Sequence, residues 1–279
     1  VRGLFNFYST YEKTFGDHSF NVTAGIENIR QSSRGRSTEG QGITGVAQDL
    51  GGDAEILRAS NGVGGELYWN GIFGRVIYKF IDRYLVGFSG RRDGVSVFTE
   101  ENRYANFFAA SAGWIITEES FFNVHGIDLL KLRASYGETG NYQINSRATF
   151  DTYTGWGRYG DRSLGINAGD LLTGIGNPDI TWETTEAFDV GLDFELFSNR
   201  ITGSIGYYRQ DATDLLFGVP VAQTSGIWSN SPRITYNVGD LRNSGFEFTI
   251  NTVNVTKGDF QWRSSFNFTT NRNEVLKLS

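Results

Sequence analysis

Cysteine and methionine are missing altogether from the 279 residues, histidine is confined to His18 and His125, and proline occurs 3 times. Without cysteine there are no disulfides, thiolate metal sites or thiol nucleophiles. Two histidines leave almost nothing from which to build a zinc centre or a histidine-based triad. A translated chain starts with Met, so an opening Val1 reads as a processed chain or an internal piece of a longer one. No basic n-region and apolar h-region follow it, which puts any signal peptide outside these residues. A net charge of -6 argues against nucleic acid as a partner. No apolar run reaches the roughly 18–20 residues of a membrane helix.

What the chain does have is glycine, at 36 residues, and an aromatic fraction of 15%. That balance points to an all-β protein. Period-two alternation recurs along the chain and places about ten strands. They fall near 2–11, 18–29, 66–80, 83–93, 103–116, 129–138, 183–196, 200–212, 241–253 and 259–271. Most exceed the usual soluble strand of about 5–6 residues and match the roughly 9–11, plus overhang, of a tilted strand crossing a bilayer. In "FDVGLDFELFSNRITGSIGYY" (188–208), Phe188, Val190, Leu192, Phe194 and Leu196 alternate with Asp189, Gly191, Asp193 and Glu195. Phe260, Trp262, Phe266 and Phe268 oppose Gln261, Arg263, Ser265 and Asn267 in the same way, and Phe246 and Phe248 oppose Glu247. On 66–80 the outward set is Ile72, Val76, Tyr78 and Phe80, because Arg75 and Lys79 share the other face. Arg or Lys on lipid at the midplane costs about 2–4 kcal/mol, and the apolar faces of 188–196 and 259–268 carry neither.

The connections alternate too. Those around "KTFGDH", "ID", "FSNR" and "TKGD" are tight and 117–128 is the exception, whereas 30–65, 139–182 and 213–240 are long. Short turns at one rim and long loops at the other are the habit of outer-membrane barrels. The expected fold is therefore an antiparallel up-and-down transmembrane β-barrel. A soluble β-sandwich or propeller, serving as a carbohydrate-binding or enzymatic domain, also alternates and stands as the alternative. Open sheet edges cannot sit in lipid, so either the ten strands close or further ones belong to the parent protein.

Several stretches carry a family likeness: "RRDGVSVF" (91–98), "NRYANFFAASAGWIITEESFF" (102–122), "LKLRASYGETGN" (130–141), "NPDITWETTEAFDVGLDFELFSNRITGSIGYYRQDATDLL" (177–216), "NVGDLRNSGFEF" (237–248) and "FNFTTNRNEVLKL" (266–278). From about residue 72 onward the chain resembles the barrel of the SusC/RagA-like TonB-dependent outer-membrane transporters of Bacteroidetes. The resemblance implies a barrel of about 22 strands with an N-terminal plug. It also implies a bacterial outer-membrane location, a SusD-like surface lipoprotein as lid, energy from the TonB complex acting on the N-terminal region, and oligosaccharide or peptide cargo. On this reading residues 1–279 are a partial barrel, with plug, TonB-contacting segment and terminal strands outside the chain. Val95 and Val97 depart from the family, which more often has Ser and a basic residue there. A structural or adhesion barrel that transports nothing is a further alternative.

Chemical motifs give little. The glycines of "NGVGGELYWNG" precede a strand pattern and no helix, so a flexible outer loop fits better than a phosphate cradle. Asp193 and Glu195 share a face at strand spacing, yet every second residue of a lumen strand is polar, and a solvated wall outweighs paired catalytic carboxylates. No enzyme activity and no cofactor are expected; calcium in the 161–179 loop is kept as an alternative although no regular ligand spacing appears. Asp189, Asp193, Glu195, Glu247 and Arg263 are expected to face the lumen. Tyr78, Tyr84, Trp114, Trp182, Tyr207 and Trp262 are assigned to interfacial girdles. Among the loop aromatics, Tyr142 included, Tyr153, Trp156, Tyr159 and Trp228 are the candidate cargo contacts, with packing of long loops as the plainer reading. The segment 151–162 is the favoured cargo- or lid-facing loop.

Overall fold

The computed structural model describes residues 1–41, 56–144, 148–154, 171–227, 229 and 231–278, with backbone alone for 34–41, 56–64, 153–154 and 171. Its main element is an 11-stranded antiparallel sheet. The strands in spatial order are β1 (Arg2–Phe15), β2 (His18–Gln41), β3 (Ile56–Phe80), β4 (Tyr84–Val95), β5 (Tyr104–Ile115), β6 (Ile127–Asn141), β9 (Glu183–Leu196), β10 (Ile201–Thr213), β13 (Asp240–Lys257) and β14 (Phe260–Thr269), with β15 (Arg272–Lys277) also on β13. Two small hairpins stand apart: β7 (Thr152–Thr154) with β8 (Leu171–Gly174), and β11 (Leu216–Pro220) with β12 (Arg233–Asn237). Each long strand pairs with its sequence neighbour in the sheet, as an up-and-down meander requires.

All the expected strands are present, but β2 and β3 run on, paired, through 30–41 and 56–65, so "NGVGGELYWNG" lies in a strand and not in a flexible outer loop; the other differences have local causes. The tenth does not stop at 271. Ser244 pairs with Arg272 just as Glu247 pairs with Thr269, so β15 continues β14 along β13 past an interruption at Thr270 and Asn271. Polar Thr270-Asn271 reads as a terminus in sequence, but Thr270 stays attached: its N–H donates to the Phe246 carbonyl at 2.9 Å and its hydroxyl accepts from the Phe246 N–H at 3.0 Å. On β13 the register slips by one between Val253 and Val255. That bulge turns Val255 to the face of Trp262, keeping the apolar side apolar across the slip.

Exposure follows an inverted pattern. Along β4 the sequence Tyr84, Val86, Phe88 is exposed while Leu85, Gly87 and Ser89 between them are half-buried. The same apolar face continues through directly paired residues: Val22, Val76, Phe88 and Ala110, then Leu132, Leu192, Ile205 and Phe248. Phe246 and Phe266 are 58% and 56% exposed. Val190, Leu192 and Phe194 are half-buried, and among the described residues none lies beneath a second protein layer. The turns joining β1–β2, β3–β4, β5–β6, β9–β10 and β13–β14 gather at one end of the sheet, and the long connections at the other.

Candidate functional site

The polar face carries an ionic cluster. Arg133 on β6 reaches Asp189 and, at 3.3 Å, Asp193, both on the neighbouring β9. It can do so because the adjacent positions are glycine: a Cβ on Gly191 would stand 2.7 Å from the Arg133 Nη2. The guanidinium thus lies along the wall between two carboxylates two pleat repeats apart, with Gly191 between them. Glu195 sits two residues beyond Asp193, and Glu247 pairs with Gly206, which pairs with Gly191. Arg263 pairs with Val253, an odd-numbered position of β13 like Glu247. The register therefore brings Asp189, Asp193, Glu195, Glu247 and Arg263 onto one face, opposite the apolar one. Higher on this face a hollow of about 310 Å³ is lined by Phe73, Arg75, Ser89, Arg91, Phe107 and Ala109 among others.

Toward the long-loop end the polar face changes character. Trp69, Val95, Val97, Phe98, Phe107, Ile180 and Trp182 form the buried core, with Val95 and Ile180 at 0% exposure. Trp182 packs on Phe98, Phe107 and Tyr142 at ring distances of 5.4, 5.7 and 5.7 Å, and its indole N–H donates to the Arg103 carbonyl at 3.2 Å. Below it Asp93, buried, accepts both Nε and Nη2 of Arg91 at 2.6 and 2.9 Å, and Arg91 lies over the Trp69 ring. Gly71 makes room, since a Cβ there would meet an Asp93 oxygen at 2.5 Å.

Loop backbones are sewn to this cluster by side chains. The Thr149 hydroxyl donates to the Val97 carbonyl, Thr99 to Pro178, and the Asn102 amide to Ile180. The Asn237 side chain imitates a strand partner for Thr181, accepting from its N–H at 2.8 Å and donating to its carbonyl at 3.0 Å. The result is a collar in which the 96–103, 142–182 and 214–239 connections share one apolar centre.

Trp182 corrects its sequence assignment: it belongs to the collar and not to an outer girdle, because the chain entering β9 turns inward onto Phe107. Tyr84 and Trp114 do lie on the apolar face near the short-turn end, where both donate to Glu119. The departure at Val95 and Val97 also finds its place, since both are collar core. The loop aromatic Tyr142 is a packing residue. Trp156, Tyr159 and Trp228 lie outside the described residues; Tyr153 is on β7, where the backbone alone is described. Most of the 161–179 loop also lies outside them, and among the described residues no group of acids is arranged to hold a metal ion.

A long antiparallel meander whose greasy side faces out and whose ionic side is shielded is the wall of a membrane β-barrel. Residues 2–277 match the family model described as TonB dependent receptor-like, beta-barrel. The chain is 35% identical over 276 residues to the TonB-dependent receptor P3 of Formosa agariphila, covering 97% of this chain and 27% of that protein. It is 33% identical over 282 residues to the TonB-dependent receptor SusC of Bacteroides thetaiotaomicron, covering 99% and 27%. The solved RagAB peptide transporter superposes with a TM-score of 0.80 at 25% identity over 99% of this chain and 30% of that one. The chain belongs to the TonB-dependent receptor-like β-barrel family, and within it is similar to SusC and RagAB. Members are outer-membrane transporters and not enzymes. This chain spans little more than a quarter of the length of the curated relatives it matches.

Proposed function

We propose that this chain is part of the barrel wall of a TonB-coupled importer that takes oligosaccharide or peptide nutrients across the outer membrane beneath a SusD-like lipoprotein lid. The observation that carries the reading is the inverted exposure of the sheet, with Phe88, Phe246 and Phe266 outward and no layer over them among the described residues. Among the described residues the sheet has free edges at β1 and at β14 and β15, and hydrocarbon does not tolerate unpaired backbone amides, so further strands of the parent protein complete the barrel. The plug and the segment that meets TonB belong to that parent, too. Asp189, Asp193, Glu195, Glu247 and Arg263 line the lumen, where they meet water, cargo or plug. The collar holds the long loops over the mouth, and Tyr153, Trp156, Tyr159 and Trp228 offer flat surfaces to sugar rings or peptide side chains.

Deleting 151–162 in the full-length parent tests this. The barrel is expected to stay in the membrane with heat-modifiable migration, while cargo uptake or capture of the lid lipoprotein falls. Unchanged uptake would remove the loop assignment; a parent protein soluble without detergent would remove the importer.

A further inference from the structure

The β11–β12 ribbon has one side occupied and one side bare. Two left-handed residues, Asp214 at φ 56° and Gly239 at φ 95°, interrupt the β10–β13 pairing and set the ribbon off from the wall. The ladder crosses the break through the Leu215 N–H on the Gly239 carbonyl at 3.2 Å and the Val238 N–H on the Leu215 carbonyl at 2.8 Å. Leu216 then packs against the collar core and the Asn237 side chain clasps Thr181. The Asn177 amide holds the β12 backbone at the Thr235 carbonyl, 2.9 Å away. Register puts Leu216 and Asn237 on one side and the other apolar pairs, Phe217 with Tyr236 and Val219 with Ile234, on the opposite one. There Phe217 is 50% and Tyr236 39% exposed, with Val219 and Ile234 half-buried on the next rung.

A two-stranded ribbon is marginal in water on its own. An apolar patch contiguous across both strands, on the side away from the collar, is an interface that lacks its other half.

The course of β15 brings an occupant alongside. The β13–β14 turn lies at the short-turn end, so β14 and β15 climb back to the long-loop rim, where Lys277 pairs with Asp240 at the root of the ribbon. A Cβ on Gly239 would stand 3.4 Å from the Lys277 carbonyl oxygen and 3.5 Å from the Phe217 ring. The upper end of β15 and the bare side of the ribbon thus meet at one glycine. Leu278, next along the chain, is 74% exposed. A further strand on the free edge of β14 and β15 has to be reached from this point, by a connection at the rim where the long loops lie.

The patch is aromatic and aliphatic, and Arg233 falls on the other side with Pro220. A tethered segment that starts at the edge of such a patch needs little affinity of its own, because the tether sets its effective concentration. We infer that the bare side of β11–β12 is the seat of the extracellular loop that follows β15 in the parent protein, an inference resting on the partial-barrel reading proposed above. The collar then has a second layer, anchored on Phe217 and Tyr236.

The test uses the full-length parent in its native membrane, with Phe217→p-benzoylphenylalanine as photocrosslinker and peptide mass spectrometry as readout. Adducts are expected within the same chain, to the loop that follows residue 279. Adducts to a surface lipoprotein, to lipid, or to a second copy recognised by mixed isotope labelling overturn the inference, and so does the absence of adducts. A second measurement is independent of the crosslinker. In the Phe217→Ser, Tyr236→Ser double variant, limited proteolysis of that loop should speed up at least about tenfold. Phe121→Ser, which removes an exposed aromatic from the short-turn end, should leave the rate unchanged. Equal cutting of the double variant and the wild type overturns the seat. Failure of the parent to fractionate with the membrane strikes the barrel reading instead, so the two failures are distinguishable.

Discussion

Gly245 on β13 faces the backbone of Thr270 so closely that a Cβ on the glycine would stand 1.9 Å from the Thr270 carbonyl oxygen. The obstruction is main chain, which cannot rotate away. This is the point where β14 passes into β15, and the Tyr208 hydroxyl also donates to that carbonyl at 3.4 Å. Gly245→Ala should therefore cost at least about 3 kcal/mol, the upper part of the overpacking range. The midpoint of heat-modifiable migration in the full-length protein measures it. Gly90→Ala, whose Cβ would meet the Phe108 ring at 3.3 Å, is the mild comparison.

Arg133 holds two carboxylates, but its side chain is 37% exposed and theirs are about a third exposed, so water screens the attraction. A double-mutant cycle between Arg133→Gln and Asp189→Asn should give a coupling of on the order of 0.5–1 kcal/mol. The Gly191→Ala variant should reproduce most of that loss by displacing the guanidinium. A coupling at zero would mean that the guanidinium does not hold its place along the wall.

Replacing Trp182 by Ala removes the centre of the collar and strands the Arg103 carbonyl. Burial of this kind is worth about 3–5 kcal/mol. The strands have their own ladder, so the damage should stay at the rim. Limited proteolysis is expected to cut the 142–182 and 214–239 connections in Trp182→Ala while the barrel keeps its heat-modifiable migration.

Glu119 lies in the turn between β5 and β6. The Tyr84 hydroxyl, the Trp114 indole N–H and Arg83 hold its carboxyl below the usual carboxylate range. A depressed value means that ionised Glu119 stabilises the fold at neutral pH. The contribution is complete above the unfolded value near pH 4.3 and disappears as pH falls through the folded one. Glu119→Gln should lower thermal stability at pH 7 and flatten its dependence below about pH 4. Thermal melts at pH 7, 4 and 3 for both proteins decide it.

Long strands and their faces were legible because one physical demand, an apolar residue at every second position, is written directly into residues such as Phe188, Val190 and Leu192. Parity also put Asp189 and Asp193 together. It did not reveal Arg133 as their partner, since that contact crosses 56 residues of chain. The collar left a trace that was readable in principle: after Asp93 the same parity turns apolar at Val95 and Val97, as it does at Trp69 and Leu67 on β3. Short hairpins such as β11–β12 left none, because five residues hold too few repeats of any pattern. Nor does sequence register a bulge like that at Val253–Val255, where one unpaired residue changes which side is out.

The outward oiliness of this sheet exists only once the ribbons have zipped together. Read along the backbone, Phe266 is followed by Asn267 and Val190 by Gly191, so no stretch is continuous enough to be stopped as a membrane helix. A nascent chain of this design can cross an inner bilayer unrecognised and display its grease at the moment of assembly, which makes strand pairing itself the step that commits it to a membrane.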